Sequence, residues 1–346
     1  MTDARRSIFD DPDAFLAMAR ALVDNDKGDK ALGLVATLRA ERPGDPLLAA
    51  LATEILTRKI PDFHASMLTD SARNTAYTRA IGALAPGRRV LDIGAGSGLL
   101  AMIAARAGAA SVVACERDPM LAATAREIVA ANGLADRITV LALHSSQLDR
   151  ERDLGGGVDL VVSEIFAHDL LGEQVLASLA HARAQLCRPG ARFLPAAASI
   201  RVALADFPEK RVALGDVEGF DLSAFERHVP HVHNMRAGSR QLTLRSEPVE
   251  LFRFDFDGET APPDRGQARA VLRSFGGRVA GLAQWLRIEF APGVLYENAP
   301  GSDDRHHWVL PLHAIDPRDT VAGEAFAIGG WHDEQSLALW VDPEKR

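Results

Sequence analysis

A parallel α/β sheet followed by an all-β half, with a helical segment in front, is the architecture this 346-residue chain predicts. Three observations carry it. From 88 to 195, strand-length apolar runs alternate with helical periodicity, as in strands joined by crossover helices. After 195, strand-length runs at 199–205, 247–256, 267–275, 278–290, 307–312, 323–328 and 336–341 follow without helices between them, which points to a β-barrel or sandwich. Ahead of both, apolar residues through 11–57 recur at helical spacing, punctuated by Gly28-Asp29 and Pro43-Gly44-Asp45-Pro46. The expected organisation is 1–57 helical, 58–195 α/β and 196–346 β, with an irregular insertion at 208–245.

Composition narrows the function classes. The chain is 47% apolar, ample for buried cores, and carries a net charge of −8 with no lysine/arginine run of the kind that grips a phosphate backbone. Nucleic acid is therefore not expected as a partner. The two cysteines, Cys115 and Cys187, have neither metal-ligand spacing nor a disulfide framework, so no metal is expected and a reducing, cytoplasmic setting fits. No stretch predicts export or membrane insertion.

The chemistry starts at residues 88–98, RRVLDIGAGSG. An apolar strand (Val90, Leu91, Ile93) runs through Asp92 into Gly94, Gly96 and Gly98, a turn that lets a ligand approach the backbone closely. The helix after it carries Leu99, Leu100, Met102 and Ile103, and the next strand, 111–115, ends at Glu116, 18 residues beyond Gly98. An acid there can accept both hydroxyls of a ribose. The glycines read GxGxG, one residue short of the dinucleotide spacing GxGxxG. This Rossmann-like segment resembles the S-adenosylmethionine site of class I methyltransferases, with a nicotinamide enzyme as the second choice. Asp118-Pro119 starts the following helix and Gly133 ends it. Ser145 and Ser146, after the third strand, are candidates to contact the adenine.

The fourth strand, VDLVVS at 158–163, delivers Glu164 to the edge of the sheet, and Glu173 follows nine positions later in EIFAHDLLGE. A helix is expected over 171–186. This glutamate pair resembles the double-glutamate loop of the protein arginine methyltransferase family. Two further motifs are similar to that family: FHASMLTDSARNTAY at 63–77, matching at His64, Met67, Asp70 and Arg73, and His307-Trp308 in the β half. The resemblance covers 60–346 and lies nearest to divergent branches, including those with tetratricopeptide repeats, whose second helix GDKALGLVATLRAERPGDP resembles. A single such unit buries too little of itself, so it must dock on the chain or on a partner.

What the resemblance implies is specific. Glu164 and Glu173 would hold a guanidinium, and Trp308 and Phe166 would lie on the acceptor side. Arg73 would bind the carboxylate of the methionine moiety, and Met67 would line the transfer pocket with His64 on the cofactor side. Asp70 would orient His307 to take the released proton. The spacing of His64, Met67, Asp70, Arg73 and Tyr77 predicts one helix face. The family dimerises through an arm that 208–245 fits, so a homodimer is implied. Two departures stand out: His306 replaces the family's usual threonine, and no aromatic pair precedes Phe63. The acceptor would be arginine in a protein or peptide, with free arginine as the alternative and a non-catalytic scaffold as the reading from another class.

Overall fold

The computed structural model describes residues 7–58, 60, 63–208, 215–302 and 306–342. Residues 209–214 of the 208–245 insertion and the first six of the helical segment lie outside them. The helices are α1 (Pro12–Asp24), α2 (Gly28–Glu41), α3 (Pro46–Thr57), α4 (Phe63–Leu68), α5 (Ser71–Leu84), α6 (Leu99–Arg106), α7 (Pro119–Ala131) and α8 (Val175–His181). The chain divides into two compact units, one built from 1–66, 81–164 and 184–191 and the other from 67–80, 165–183 and 192–346.

In the first unit, α1 to α3 bury one apolar stripe each. Phe15, Ala19 and Val23 meet Ala31, Val35 and Leu38 and also Leu48, Ala52 and Ile55, each set spaced by three or four residues. Asp11 caps α1 through the N–H groups of Asp13 and Ala14, and Asp45 caps α3 through those of Leu47 and Leu48, each followed by a proline at the first helical position. The bundle packs on α7 through α2, where Gly28 faces Met120.

The parallel sheet consists of β1 (Arg89–Ile93), β2 (Ser111–Cys115), β3 (Ile138–Leu141), β4 (Val158–Ser163) and β5 (Cys187–Leu194) in the order β3-β2-β1-β4-β5. The strand order reverses at β1, which pairs with both β2 and β4. In open α/β sheets ligands bind beyond the strand C-termini at such a reversal. Asp118 caps α7 through the N–H groups of Met120 and Leu121.

The second unit carries an eight-stranded antiparallel sheet. Its strands are β6 (Ala197–Asp206), β9 (Val232–Arg236), β10 (Thr243–Leu244), β11 (Val249–Asp255), β12 (Gly266–Ala291), β13 (Val294–Glu297), β14 (Val309–His332) and β15 (Leu337–Val341). A separate ribbon pairs β7 (Asp216–Val217) with β8 (Phe220–Asp221). The expected barrel does not close among the described residues. The path runs β10-β6-β12-β14-β15, with β11 on β6, β13 on β12 and β9 on β14.

Strand lengths also differ from expectation. The runs 267–275 and 278–290 are one 26-residue strand, β12, which passes through Gly276 and Gly277 at positive φ instead of turning there. Register shifts at Arg273/Phe275 and Val279/Gly281 absorb the bend, as bulges do. The runs 307–312 and 323–328 merge in the same way into β14, 24 residues long. The helix expected over 171–186 begins only at Val175, after left-handed Leu170 and Gln174, and widens into a π-helical turn at Ala182–Leu186.

The helix face expected over 63–77 is broken. Asp70 stands between α4 and α5 and its Oδ1 accepts the Arg73 N–H at 3.0 Å, which is the N-cap geometry of a new helix. Asn74 Nδ2 donates to the Leu68 carbonyl and closes the end of α4. His64 and Met67 therefore ride on α4, and Arg73 and Tyr77 on α5. A short polar side chain that satisfies the orphan N–H groups competes with continuing the helix, a choice that periodicity does not record.

Asp70 is 2% exposed. Burial alone pushes its carboxyl pKa up, but hydrogen bonds from His307, Tyr296 and two backbone N–H groups outweigh this and hold it at about 2, against 3.8 ordinarily. A depressed pKa contributes stability that is present above the unfolded value and lost as pH falls through the folded one. Asp70 should therefore contribute about 2 kcal/mol above pH 4, vanishing between about pH 4 and 2. Urea melts across this range should show the stability gap between wild type and Asp70→Asn narrowing as pH falls; a constant gap contradicts the assignment. At the helical segment, a Cβ on Gly28 would lie 2.6 Å from that of Met120. Gly28→Ala should cost about 1–3 kcal/mol in chemical denaturation, as overpacking does.

Candidate functional site

The C-terminal edge of the parallel sheet gathers the first unit's candidates. Gly94, Gly96 and Gly98, directly after β1, all have positive φ, which only glycine adopts without strain. A side chain at Gly96 would meet open space, so the peptide there lies bare along one side. Glu116, buried at the end of β2, accepts the Gly96 N–H on Oε2 (3.0 Å) and the Asp118 N–H on Oε1 (2.9 Å). A carboxylate has about four acceptor positions, so two hydroxyls can still be held by the same group. Asp92 is buried, and its Oδ2 accepts the Ala101 N–H at 3.0 Å, anchoring the first turn of α6. Its contribution is to brace the glycine turn from beneath.

After β3 the two serines separate. Ser146 is exposed and its Oγ lies 2.8 Å from His144 Nδ1 within a local cap. Ser145 is 2% exposed, and its buried Oγ has no hydrogen-bond partner among the described residues. An orphaned hydroxyl at a ligand-binding edge is what a missing hydrogen-bonding ligand leaves behind. These groups together fit the nucleoside part of S-adenosylmethionine: a bare glycine turn, a carboxylate with spare acceptor sites and a buried hydroxyl. Cys115 beside them is inert, because burial first, and then the charge of Asp92, pushes its thiol to about 12.

Glu164 follows β4 directly and is half-buried, whereas Glu173 is exposed just before α8. Between them Asp169 accepts the N–H groups of Leu171 and Gly172 on Oδ1, and the Leu170 N–H closes a turn on Ala167. Asp169 thus shapes the loop.

The second unit assembles the remaining candidates around Asp70. His307 Nδ1 lies 3.0 Å from Asp70 Oδ2, with both side chains buried, and the His307 backbone N–H reaches the same oxygen at 3.2 Å. The Tyr296 hydroxyl also donates to Oδ2. Arg73 is buried, with its guanidinium carbon 4.8 Å from the centre of the Tyr77 ring and NH1 donating to Asn74 Oδ1. Trp308 Nε1 donates to the Phe166 carbonyl at 2.9 Å, and the Phe166 ring stacks on Phe256 with centroids 5.9 Å apart. Met67 on α4 is half-buried; His64, also half-buried, belongs to the first unit.

Sequence reasoning missed two residues here, Tyr296 and Asn298. Asn298, fully buried, accepts the Leu286 N–H and donates to the Trp308 carbonyl, pinning the loop that presents His307 to β12. Tyr296 is one of two tyrosines in the chain. That scarcity is the one signal available, because a buried tyrosine needs a partner for its hydroxyl.

A family profile described as ribosomal protein L11 methyltransferase (PrmA) matches residues 79–194. An arginine N(omega)-methyltransferase from Streptomyces achromogenes is 38% identical over 286 residues, covering 81% of this chain and 79% of that one. Protein arginine N-methyltransferase 7 of rice (Oryza sativa subsp. japonica) is 34% identical over 68% of this chain, which spans 36% of the rice protein. Among solved structures, the PRMT1 enzyme-prozyme heterotetrameric complex with AdoHcy of Trypanosoma brucei superposes with a TM-score of 0.71 at 26% identity, covering 82% of this chain and 93% of that one. Sequence identity of this extent over most of both chains, on the same two-sheet fold, decides the matter: the chain belongs to the protein arginine methyltransferase family, whose methyl donor is S-adenosylmethionine.

Proposed function

We propose that this protein transfers a methyl group from S-adenosylmethionine to an ω-nitrogen of an arginine guanidinium. The buried Asp70–His307 pair carries the reading, because an imidazole whose Nδ1–H is held by an ionised carboxylate presents its lone pair on Nε2. When bound, S-adenosylmethionine supplies a methyl group on a positively charged sulfur. The acceptor is also a cation, planar and a weak nucleophile. Glu164 and Glu173 answer this by accepting guanidinium N–H bonds, which orients the plane, holds positive charge on the nitrogens that do not react and offsets the repulsion between the two cations. His307 takes the proton that the ω-nitrogen loses as the N–C bond forms. On the cofactor side, Glu116 takes the ribose hydroxyls, Ser145 and Ser146 the adenine edge, and Arg73 the methionine carboxylate. Gly94, Gly96 and Gly98, braced by Asp92, let the backbone approach, while His64 and Met67 border the donor. Phe166 and Trp308 shape the acceptor side.

Two acceptors fit this chemistry. The rice relative is named for protein arginine, which favours a protein or peptide. The Streptomyces relative, matched over more of both chains, is named for arginine alone, which favours the free amino acid. A second copy of the chain is the proposed partner. The segment 216–232 exposes Phe220 (71%), Phe225 (61%), Leu222 and Val232, apolar side chains that a lone chain leaves in water.

Calorimetric titration should show S-adenosylmethionine binding, which a scaffold that has lost the activity need not do. Mass spectrometry of reactions offered free arginine, arginine peptides and cell lysate in parallel identifies the acceptor; labelled carboxyl or hydroxyl groups would refute the reading. Glu164→Gln should lower turnover at least ~1,000-fold while the cofactor Kd stays within about threefold, since only the transition-state contact is lost. Phe220→Ser with Phe225→Ser should convert a dimer to monomer in light scattering; an unchanged mass disproves the role of this segment.

A further inference from the structure

The hydrogen bonds around Asp70 continue past His307. Its Oδ2 is reached by His307 Nδ1, by the His307 N–H and by the Tyr296 hydroxyl, and the same hydroxyl oxygen lies 2.8 Å from His306 Nδ1. The Tyr296 and His306 rings meet edge-on with centroids 5.0 Å apart, and Tyr296 is buried. These four side chains belong to one compact unit. Directions within the chain follow from chemistry. An ionised carboxylate has lone pairs only, so each group at Oδ2 must donate to it. Tyr296 has one proton and spends it on Asp70, so its oxygen accepts, and His306 must donate from Nδ1.

We infer that Tyr296 and His306 are positioning residues for His307: they form a second arm on Asp70 that divides its acceptor capacity and holds both imidazoles as Nδ1–H tautomers. The inference rests on the reading of His307 as proton acceptor. A tyrosine hydroxyl on Oδ2 draws off part of the negative charge that would otherwise stabilise the His307 imidazolium, so His307 stays neutral, and able to accept a proton, to lower pH. His306, in place of the threonine usual in the family, supplies the N–H that orients the tyrosine hydroxyl. Arg73, whose backbone N–H also reaches Asp70, lies on α5 with its guanidinium over the Tyr77 ring.

The test is nitrogen-15 spectroscopy of histidine-labelled full-length protein, joined to pH profiles of methyl transfer. In the wild type, His306 and His307 should both carry the proton on Nδ1. Tyr296→Phe should remove that preference at His306, retain it at His307, leave the cofactor Kd within about twofold and move the acidic limb of kcat up by roughly 0.5–1 pH unit without changing KM. His306→Ala should shift the limb in the same direction by less, and it keeps the test available if Tyr296→Phe does not fold. An Nε2–H His306 in the wild type, or an acidic limb unmoved in both variants, overturns the inference. Absence of transfer to every arginine acceptor would instead refute the functional reading, while the tautomers still decide this one.

Discussion

One buried carboxylate organises the second unit. Asp70 uses Oδ1 to start α5 and Oδ2 to receive His307 and Tyr296, so the helix that bears Arg73 and the loop that bears His307 meet on a single side chain. An isolated charge at 2% exposure would be costly, and it persists because every approaching group donates to it. The same saturation lowers its pKa to about 2, so it remains an acceptor across the whole range in which an enzyme works. Helix capping, loop placement and imidazole orientation are therefore one interaction.

The first unit is organised on the opposite principle, by leaving capacity unused. Glu116 spends two acceptor positions on backbone and keeps others, Ser145 keeps its hydroxyl, and the glycine turn keeps one side of its backbone bare. Asp92, directly beneath, is tied to α6. Rigid support below and unfilled hydrogen-bonding capacity above is what preorganised ligand binding requires. The strand order places the glycine turn at the reversal on β1, with Glu116 on neighbouring β2 and Ser145 after the edge strand β3, and β4 also ends beside β1, where Glu164 begins the loop toward Glu173.

Much of this was legible in the sequence. The parallel sheet came from alternating periodicities, α7 from Asp118-Pro119, and the three N-terminal helices from stripes that the structure buries together. The cofactor edge was legible because glycine at positive φ and an acid at a strand end are local requirements, carried by the residues themselves. The errors were also local in origin. Glycine pairs and short polar residues read as strand ends or as helix continuation, whereas Gly276-Gly277 lets β12 bend onward and Asp70 ends one helix to begin another. The barrel expected from successive strands is an open sheet among the described residues, because two strands of 26 and 24 residues pair with different neighbours along their length.

By itself the sequence determined what depends on near neighbours along the chain: the two sheet types, the glycine turn with Glu116, the spacing of Glu164 and Glu173, and the family those motifs resemble. Tertiary structure decided what depends on partners far away in the chain. Tyr296 lies 226 residues from Asp70, and Trp308 lies 142 from Phe166. No periodicity spans such a separation, and a hydrogen bond leaves its trace in two side chains without naming either as the other's partner. Only folding brings them within 3 Å, and with them the second arm on Asp70 and the tautomer of His307.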